Sequence, residues 1–311
     1  MTRAKPSEGE IPFYVPQAGK PCHTWYKIVG ELKGDASKIP LITLHGGPGA
    51  CHELLGSLAD LNEQCGIPVV FYDQIGNGKS THLRGKAGDE SFWVEDLFIR
   101  ELDNLIEYLG LRTGFDLYGQ SWGGMLASRY ATLHPVGLRK LIIANAPASV
   151  KLVLKGEEAL RAALPKDVRE TLEKCEREGR TDSEEYESAL QVYRKRHICR
   201  IEPFPEELRI AARHMKEDPT VSKTMWGGDK LKPTGNLKDW TIMEDIPKIE
   251  ADTLILNGRY DQVQDIAVIP FFERLPRVRW VTLENSSHLG FLEERERCMK
   301  LMGGFLAGFQ S

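Results

Sequence analysis

The chain has 311 residues, 41% of them apolar and 28% charged, the balance of an ordinary globular protein that can bury a large core. Its 41 Lys and Arg against 45 Asp and Glu leave a net charge of −4, without the basic excess or basic stripe of a nucleic-acid-binding domain or of a membrane-surface protein. No apolar run approaches the roughly 18 residues of a membrane-spanning helix.

Taken in order, the N-terminal segment MTRAKPSEGEIPFYVPQAG lacks the apolar stretch of a secretory signal. Short β-branched and apolar runs then recur at 11–15, 23–29, 40–44, 68–72, 115–118, 140–144, 253–256 and 279–283. The later runs are almost continuously apolar, as strands covered on both faces of a parallel sheet must be. Helical periods lie between them, at 92–108, 125–133, 266–275 and 295–309. Strands alternating with helices predict an α/β fold with a doubly wound, mostly parallel sheet of eight strands. One stretch departs from this rhythm. Residues 149–239 are charge-rich and helical in period, with no strand pattern. They read as a helical lid inserted into a core domain made of residues 1–148 and 240–311.

Four loops carry chemistry. Gly119-Gln120-Ser121-Trp122-Gly123 stands between a strand and a helix, the context of a G-x-S-x-G nucleophile elbow. A serine hydroxyl needs a base, and the base an orienting acid. His288 follows the last strand and Asp261 the strand before it, in the order Ser, Asp, His. Asp265 is a nearby competitor for the acid. His45-Gly46-Gly47-Pro48-Gly49 follows a strand and can present a backbone N–H to a developing oxyanion. Gly47 is the first choice for that donor and Gly46 the second, with the N–H of Trp122 as partner. Asp73-Gln74-Ile75-Gly76-Asn77-Gly78-Lys79-Ser80 tempts a phosphate-binding reading. Its spacing does not fit G-x-x-x-x-G-K-[ST], so a turn supporting the oxyanion loop is expected. Two-step acyl transfer follows, without metal or organic cofactor.

Six cysteines are scattered with no CxxC pair and no visible clustering with histidine. They read as free, mostly buried thiols in a reducing compartment, hence a cytoplasmic protein, and no zinc site is expected.

The set HGGPG, DQxGxGxS, GQSWGG, late Asp and late His resembles the proline iminopeptidase family of α/β-hydrolases, with the related fungal amino-acid amidases and the archaeal tricorn-interacting aminopeptidase. The resemblance runs from about residue 11 to 309 and is weakest across 150–220. It implies the α/β-hydrolase fold, Ser121 as nucleophile, His288 as base and Asp261 as orienting acid. It also implies release of an N-terminal residue, often proline, or hydrolysis of an amino-acid amide. The expected partner is a small molecule or short peptide, not nucleic acid or membrane; oligomeric state is left open.

Those aminopeptidases hold the substrate ammonium with carboxylates. Here the lid-return position reads Asp229-Lys230, and the residue after the candidate acid is Gln262. A lysine repels an ammonium and a glutamine offers no charge. Asp229 by a one-residue shift, or Glu53, Glu202 or Glu244, could supply the missing charge, and Trp226 could line the pocket beside Met225 and Trp240. An esterase, lactonase or thioesterase acting on a small natural product is therefore the second reading, and a non-catalytic binding protein the third.

Overall fold

The computed structural model describes residues 6–32, 35, 37–229 and 231–308. Lys230 lies outside the described residues, so its expected effect on an ammonium has no structural counterpart here. Eight strands form one sheet: β1 Ser7–Phe13, β2 Cys22–Val29, β3 Leu41–Leu44, β4 Val69–Tyr72, β5 Phe115–Gln120, β6 Leu138–Ala144, β7 Asp252–Gly258 and β8 Val278–Leu283. Their spatial order is β1-β2-β4-β3-β5-β6-β7-β8. The first two pairings are antiparallel and the remaining five parallel. β1 starts at Ser7, earlier than the apolar pattern indicates. Its polar half Ser7-Glu8-Gly9-Glu10 is recruited through backbone pairing with β2, which needs no apolar side chains.

Helices follow the parallel strands. They are α1 Asp60–Cys65, α2 Glu95–Tyr108, α3 Trp122–Ala131, α4 Val150–Ala162, α5 Lys166–Arg177, α6 Glu184–His197, α7 Glu206–Glu217, α8 Thr220–Met225, α9 Asp265–Arg274, α10 Gly290–Glu293 and α11 Arg295–Ala307. The period-two alternation of each central strand divides the core. Ile42, Leu44, Val70, Tyr72, Leu117, Leu141 and Ile143 point to the face covered by α2, α3 and α9. Leu41, Val69, Phe71, Tyr118, Ile142 and Ala144 point to the face covered by α1 and α11. β3, β4 and β5 are buried along their whole length, which is why β3 and β4 read as almost continuously apolar runs, while β5 buries Asp116 and Gln120 within it.

Helices α4 to α8 all lie between β6 and β7, and no strand interrupts them among the described residues. They hold a small core of their own, with Leu172, Cys175, Tyr186, Leu190 and Tyr193. The short helix α8 reaches the loop after β3, where a side chain on Gly49 would run into Ser222. No helix among the described residues is long and apolar enough to cross a membrane. All six cysteines are free thiols, and five of them are buried.

Candidate active site

Every loop that carries chemistry leaves the carboxyl end of a parallel strand, where open α/β sheets form their crevices. The loop after β3 holds His45 to Ala50, that after β4 holds Asp73 to Ser80, and that after β5 is the turn at Ser121. Asn145 follows β6, Asp261 follows β7 and His288 follows β8.

Ser121 stands at φ 55°, ψ −121°, a left-handed conformation unusual for a residue with a side chain. The backbone around it is over-determined: its N–H donates to Ala144 O (2.9 Å), and its carbonyl accepts from the N–H groups of Gly124 and Met125. The sharp turn lifts the hydroxyl out of the sheet, and among the described residues Ser121 Oγ has no hydrogen-bond partner. Catalytic hydrogen bonds are often long in the unliganded state and tighten when substrate binds.

The imidazole and its acid meet directly. His288 Nδ1 lies 2.7 Å from Asp261 Oδ1, both side chains being buried. Asp261 is saturated on its other sides. Val263 N–H donates to Oδ1 (2.9 Å) and Asn145 Nδ2 donates to Oδ2 (2.7 Å). A carboxylate held by three donors is fixed in orientation and cannot swing away from the ring. Asp265 is not a rival: it begins α9 and accepts from Asn257 Nδ2.

Sequence reasoning missed the residues that hold this arrangement. Asn145, itself at φ 52°, bridges Asp261 to the carbonyl of Ser287. Gln120 Nε2 donates to His288 O. Glu293 accepts from the N–H groups of Ser287 and Leu289 and from the Ser287 hydroxyl, tying down the histidine loop. An asparagine directly after a strand was the one available signal for Asn145; the others depend on contacts between segments far apart in the chain.

The two candidate oxyanion loops are cross-braced. Gln74 Nε2 donates to His45 O (2.9 Å), its backbone N–H donates to His45 Nε2 (3.1 Å), and its Oε1 accepts from the Trp122 indole (2.8 Å). Burial depresses the His45 pKa, so the ring is neutral and can accept at Nε2. Gly46 lies so close that a Cβ there would fall 2.4 Å from Gln120 Oε1 and 3.1 Å from Ser121 Cβ. The N–H groups of Gly46, Gly47 and Trp122 donate to no protein acceptor among the described residues. The DQIGNGKS turn closes on itself through Ser80 Oγ to Asp73 O and Lys79 N–H to Asp73 Oδ2.

Beneath that turn, buried Glu101 accepts from Thr24 Oγ1 (2.5 Å) and from the N–H of Ile75 (2.9 Å). Desolvation raises its pKa to about 8, and raises that of buried Glu157 on α4 to about 7. Both acids are easier to ionise in the unfolded chain, so the folded state holds more protons between pH 4.5 and 8. Stability is therefore expected to be greatest at the acid end of this window and to fall as pH rises through it. Urea titrations at pH 5, 7 and 9 check this. Glu101→Gln should remove a share of the decline of order a few kcal/mol; an unchanged slope would mean that Glu101 is ionised in the fold.

The proposed substrate-contacting residues fare unevenly. Asp229 spends Oδ1 on the N–H groups of Leu231 and Lys232, capping its own turn at the lid return. Glu202 and Glu244 are exposed and pair with Lys195 and Arg274. Gln262 is half-buried, its N–H bonded to His197 O on the lid. Trp226 is half-buried, with its carbonyl accepting from Thr234 and Gly235. Trp240 is buried and donates its indole N–H to Glu95, a packing role. Glu53 turns toward His52, their closest approach being 3.1 Å.

The fold also brings Cys51, Glu53 and His214 together with ligand atoms within 4.8 Å, and likewise His52, Glu53 and Asp73, a proximity that spacing in the sequence does not show. His214 comes from α7 and the other residues from loops after β3 and β4, so only tertiary packing joins them.

Comparison with known proteins agrees with this architecture. A family model described as the alpha/beta hydrolase fold matches residues 39–295. A proline iminopeptidase of Heyndrickxia coagulans is 32% identical over 268 residues, covering 86% of this chain and 90% of its own. One of Saccharolobus solfataricus is 32% identical over 282 residues, covering 91% and 88%. The crystal structure of VinJ superposes with a TM-score of 0.91 at 44% identity, covering 98% of this chain and 99% of that one. A proline iminopeptidase structure from Mycobacterium smegmatis gives 0.89 at 34% identity, covering 96% and 97%.

Proposed function

The chain belongs to the proline iminopeptidase family of α/β-hydrolases, and from that premise we propose that it is a serine hydrolase releasing an N-terminal residue, proline foremost, from a short peptide or an amino-acid amide. The observation that carries this reading is the His288–Asp261 pair at 2.7 Å on the loops facing the Ser121 elbow. In this mechanism His288 takes the proton of Ser121 as the oxygen attacks the carbonyl carbon. Asp261 accepts from Nδ1–H, fixes the tautomer and stabilises the imidazolium. The free N–H groups of Trp122 and of Gly47 or Gly46 hold the oxyanion. His288 then protonates the departing amine, and water, activated by the same imidazole, releases the acyl group. Helices α4 to α8, within residues 149–239, act as a lid over a core of 1–148 and 240–311. The six free thiols support a reducing, cytoplasmic setting.

An aminopeptidase must recognise a free ammonium. With Asp229 Oδ1 taken up by its own turn and Gln262 uncharged, the acid assigned to this role is Glu157, buried on lid helix α4. Its Oε2 accepts from the Tyr193 hydroxyl, while its buried Oε1 has no hydrogen-bond partner among the described residues. The neighbouring Gly156 packs against Gln264, three residues past Asp261. An ammonium beside Glu157 would complete its hydrogen bonding and favour its ionised form.

The same observations on Asp229 and Gln262 favour ester hydrolysis as the second reading, and one assay separates the two. Prolyl- and alanyl-arylamides are compared with their N-acetylated forms and with p-nitrophenyl butyrate. Preference for the free amine of about thirtyfold or more in kcat/KM, roughly 2 kcal/mol, is the expected result. Glu157→Gln should erase most of that preference through KM and leave the ester rate in place. Equal rates on free and blocked amines would make the protein an esterase.

A further inference from the structure

We propose that Cys51, Glu53 and His214 form a site for a thiophilic divalent cation of the zinc class, clamping lid helix α7 to the turn that follows the oxyanion loop. The proposal is independent of the hydrolytic reading. Cys51 is fully buried and extended, immediately before the 3₁₀ turn His52–Ala59, and α7 packs on that turn. The Cys51 thiol, a Glu53 carboxylate oxygen and a His214 ring nitrogen lie within 4.8 Å of one another. Around a tetrahedral zinc, bond lengths of about 2.0–2.3 Å place donor atoms about 3.5 Å apart, so the side chains need only draw in by about 1 Å. Thiolate, imidazole and carboxylate together are the donor set of zinc rather than of calcium or magnesium. Three protein ligands leave the fourth position to water.

A second observation points to a missing ligand. Glu53 Oε2 is buried and has no hydrogen-bond partner among the described residues, although His52 Nδ1 is 3.1 Å away. That nitrogen is engaged by Asp73, at 3.0 Å from each carboxylate oxygen. Asp73 also receives the N–H groups of His52 and Lys79. The His52–Asp73 pair is thus a satisfied structural unit, whereas the Cys51–Glu53–His214 group has a carboxylate oxygen to spare. The local field is negative as well. The Glu53 and Asp73 carboxylates supply it, on either side of His52. When a dication binds, the sulfur–metal bond forms, the thiol proton leaves to solvent, and the carboxylate oxygen gains its partner.

Cobalt(II) is the probe. The full chain, treated with EDTA, desalted and kept reduced, is titrated with Co²⁺ and read by its thiolate-to-cobalt charge-transfer band and tetrahedral d–d bands. One equivalent is expected to bind and to be displaced by Zn²⁺, with a rise in Tm. Cys51→Ser should abolish the charge-transfer band, and His214→Ala, on a half-buried lid position, should weaken binding about 10- to 100-fold. Cys65→Ser, which removes the one thiol that is not buried, should change nothing. Circular dichroism establishes that each variant is folded; should Cys51→Ser not fold, His214→Ala decides alone. Absence of the charge-transfer band in the parent protein, its survival in folded Cys51→Ser, or full affinity in His214→Ala would overturn the proposal.

Discussion

Ser121→Ala is expected to lower kcat by roughly 10⁴- to 10⁶-fold while leaving the fold in place. The loss is large because the hydroxyl is the proposed attacking atom. Without it the imidazole has no proton to take and no acyl-enzyme can form. The residual rate would come from water acting within the oxyanion loop. The fold should survive because alanine keeps the Cβ and meets the same backbone demand at φ 55°. Among the described residues Ser121 Oγ makes no protein hydrogen bond to lose, and the elbow is held by backbone bonds to Ala144, Gly124 and Met125. Stability in urea should therefore change by less than about 1 kcal/mol. Steady-state kinetics on the preferred arylamide, with active-site labelling by a fluorophosphonate, checks the assignment. Retention of more than a hundredth of the activity, or labelling of the alanine variant, would remove Ser121 from its role.

The second large effect is expected at Gly123. A Cβ there would lie 2.1 Å from Leu44 O, 2.6 Å from Leu44 C and 2.8 Å from His45 O. These are backbone atoms at the end of β3, so no side-chain rotation relieves the clash. The first turn of α3 must move away from β3, or the His45–Gly47 loop must move outward. Either shift separates the N–H of Trp122 from that of Gly47. Gly123→Ala should therefore cost about 3 kcal/mol or more in stability. In whatever protein still folds, kcat/KM should fall at least 10²-fold, because displacements near 1 Å are costly at a reacting centre. Gly85→Ala is the control, since a Cβ there meets nothing within 4 Å. It should stay within about 0.5 kcal/mol of the parent. A Gly123→Ala protein as stable and as active as Gly85→Ala would show that β3 and α3 are not in the close contact described.

These two positions illustrate what a sequence can disclose. The elbow is a local motif: glycines, a serine and a strand–turn–helix context within about ten residues, each demanded by a steric or chemical need. The same holds for the central strands. Burial on both faces writes an apolar run that is readable without knowing what covers it, and Leu41–Leu44 and Val69–Tyr72 are such runs. Where a segment is held by backbone pairing or is only one turn long, the signal fades. The polar start of β1, the turn His52–Ala59 and the four-residue α10 carry no period to detect.

The chain order of Ser121, Asp261 and His288, and the loops that bear them, were determined by the sequence alone, because each follows a strand and parallel strands deliver their carboxyl ends to one edge. Only the tertiary structure decided which polar groups reach one another across that edge. Asn145 on Asp261, Gln74 between His45 and Trp122, and Glu293 under the histidine loop are pairings between distant segments, set by strand order and loop geometry. It likewise turned Asp229 back onto its own turn, left Glu157 Oε1 without a hydrogen-bond partner among the described residues, and set His214 beside Cys51. Spacing in sequence specifies chemistry within a loop; proximity between loops is created only when the core packs.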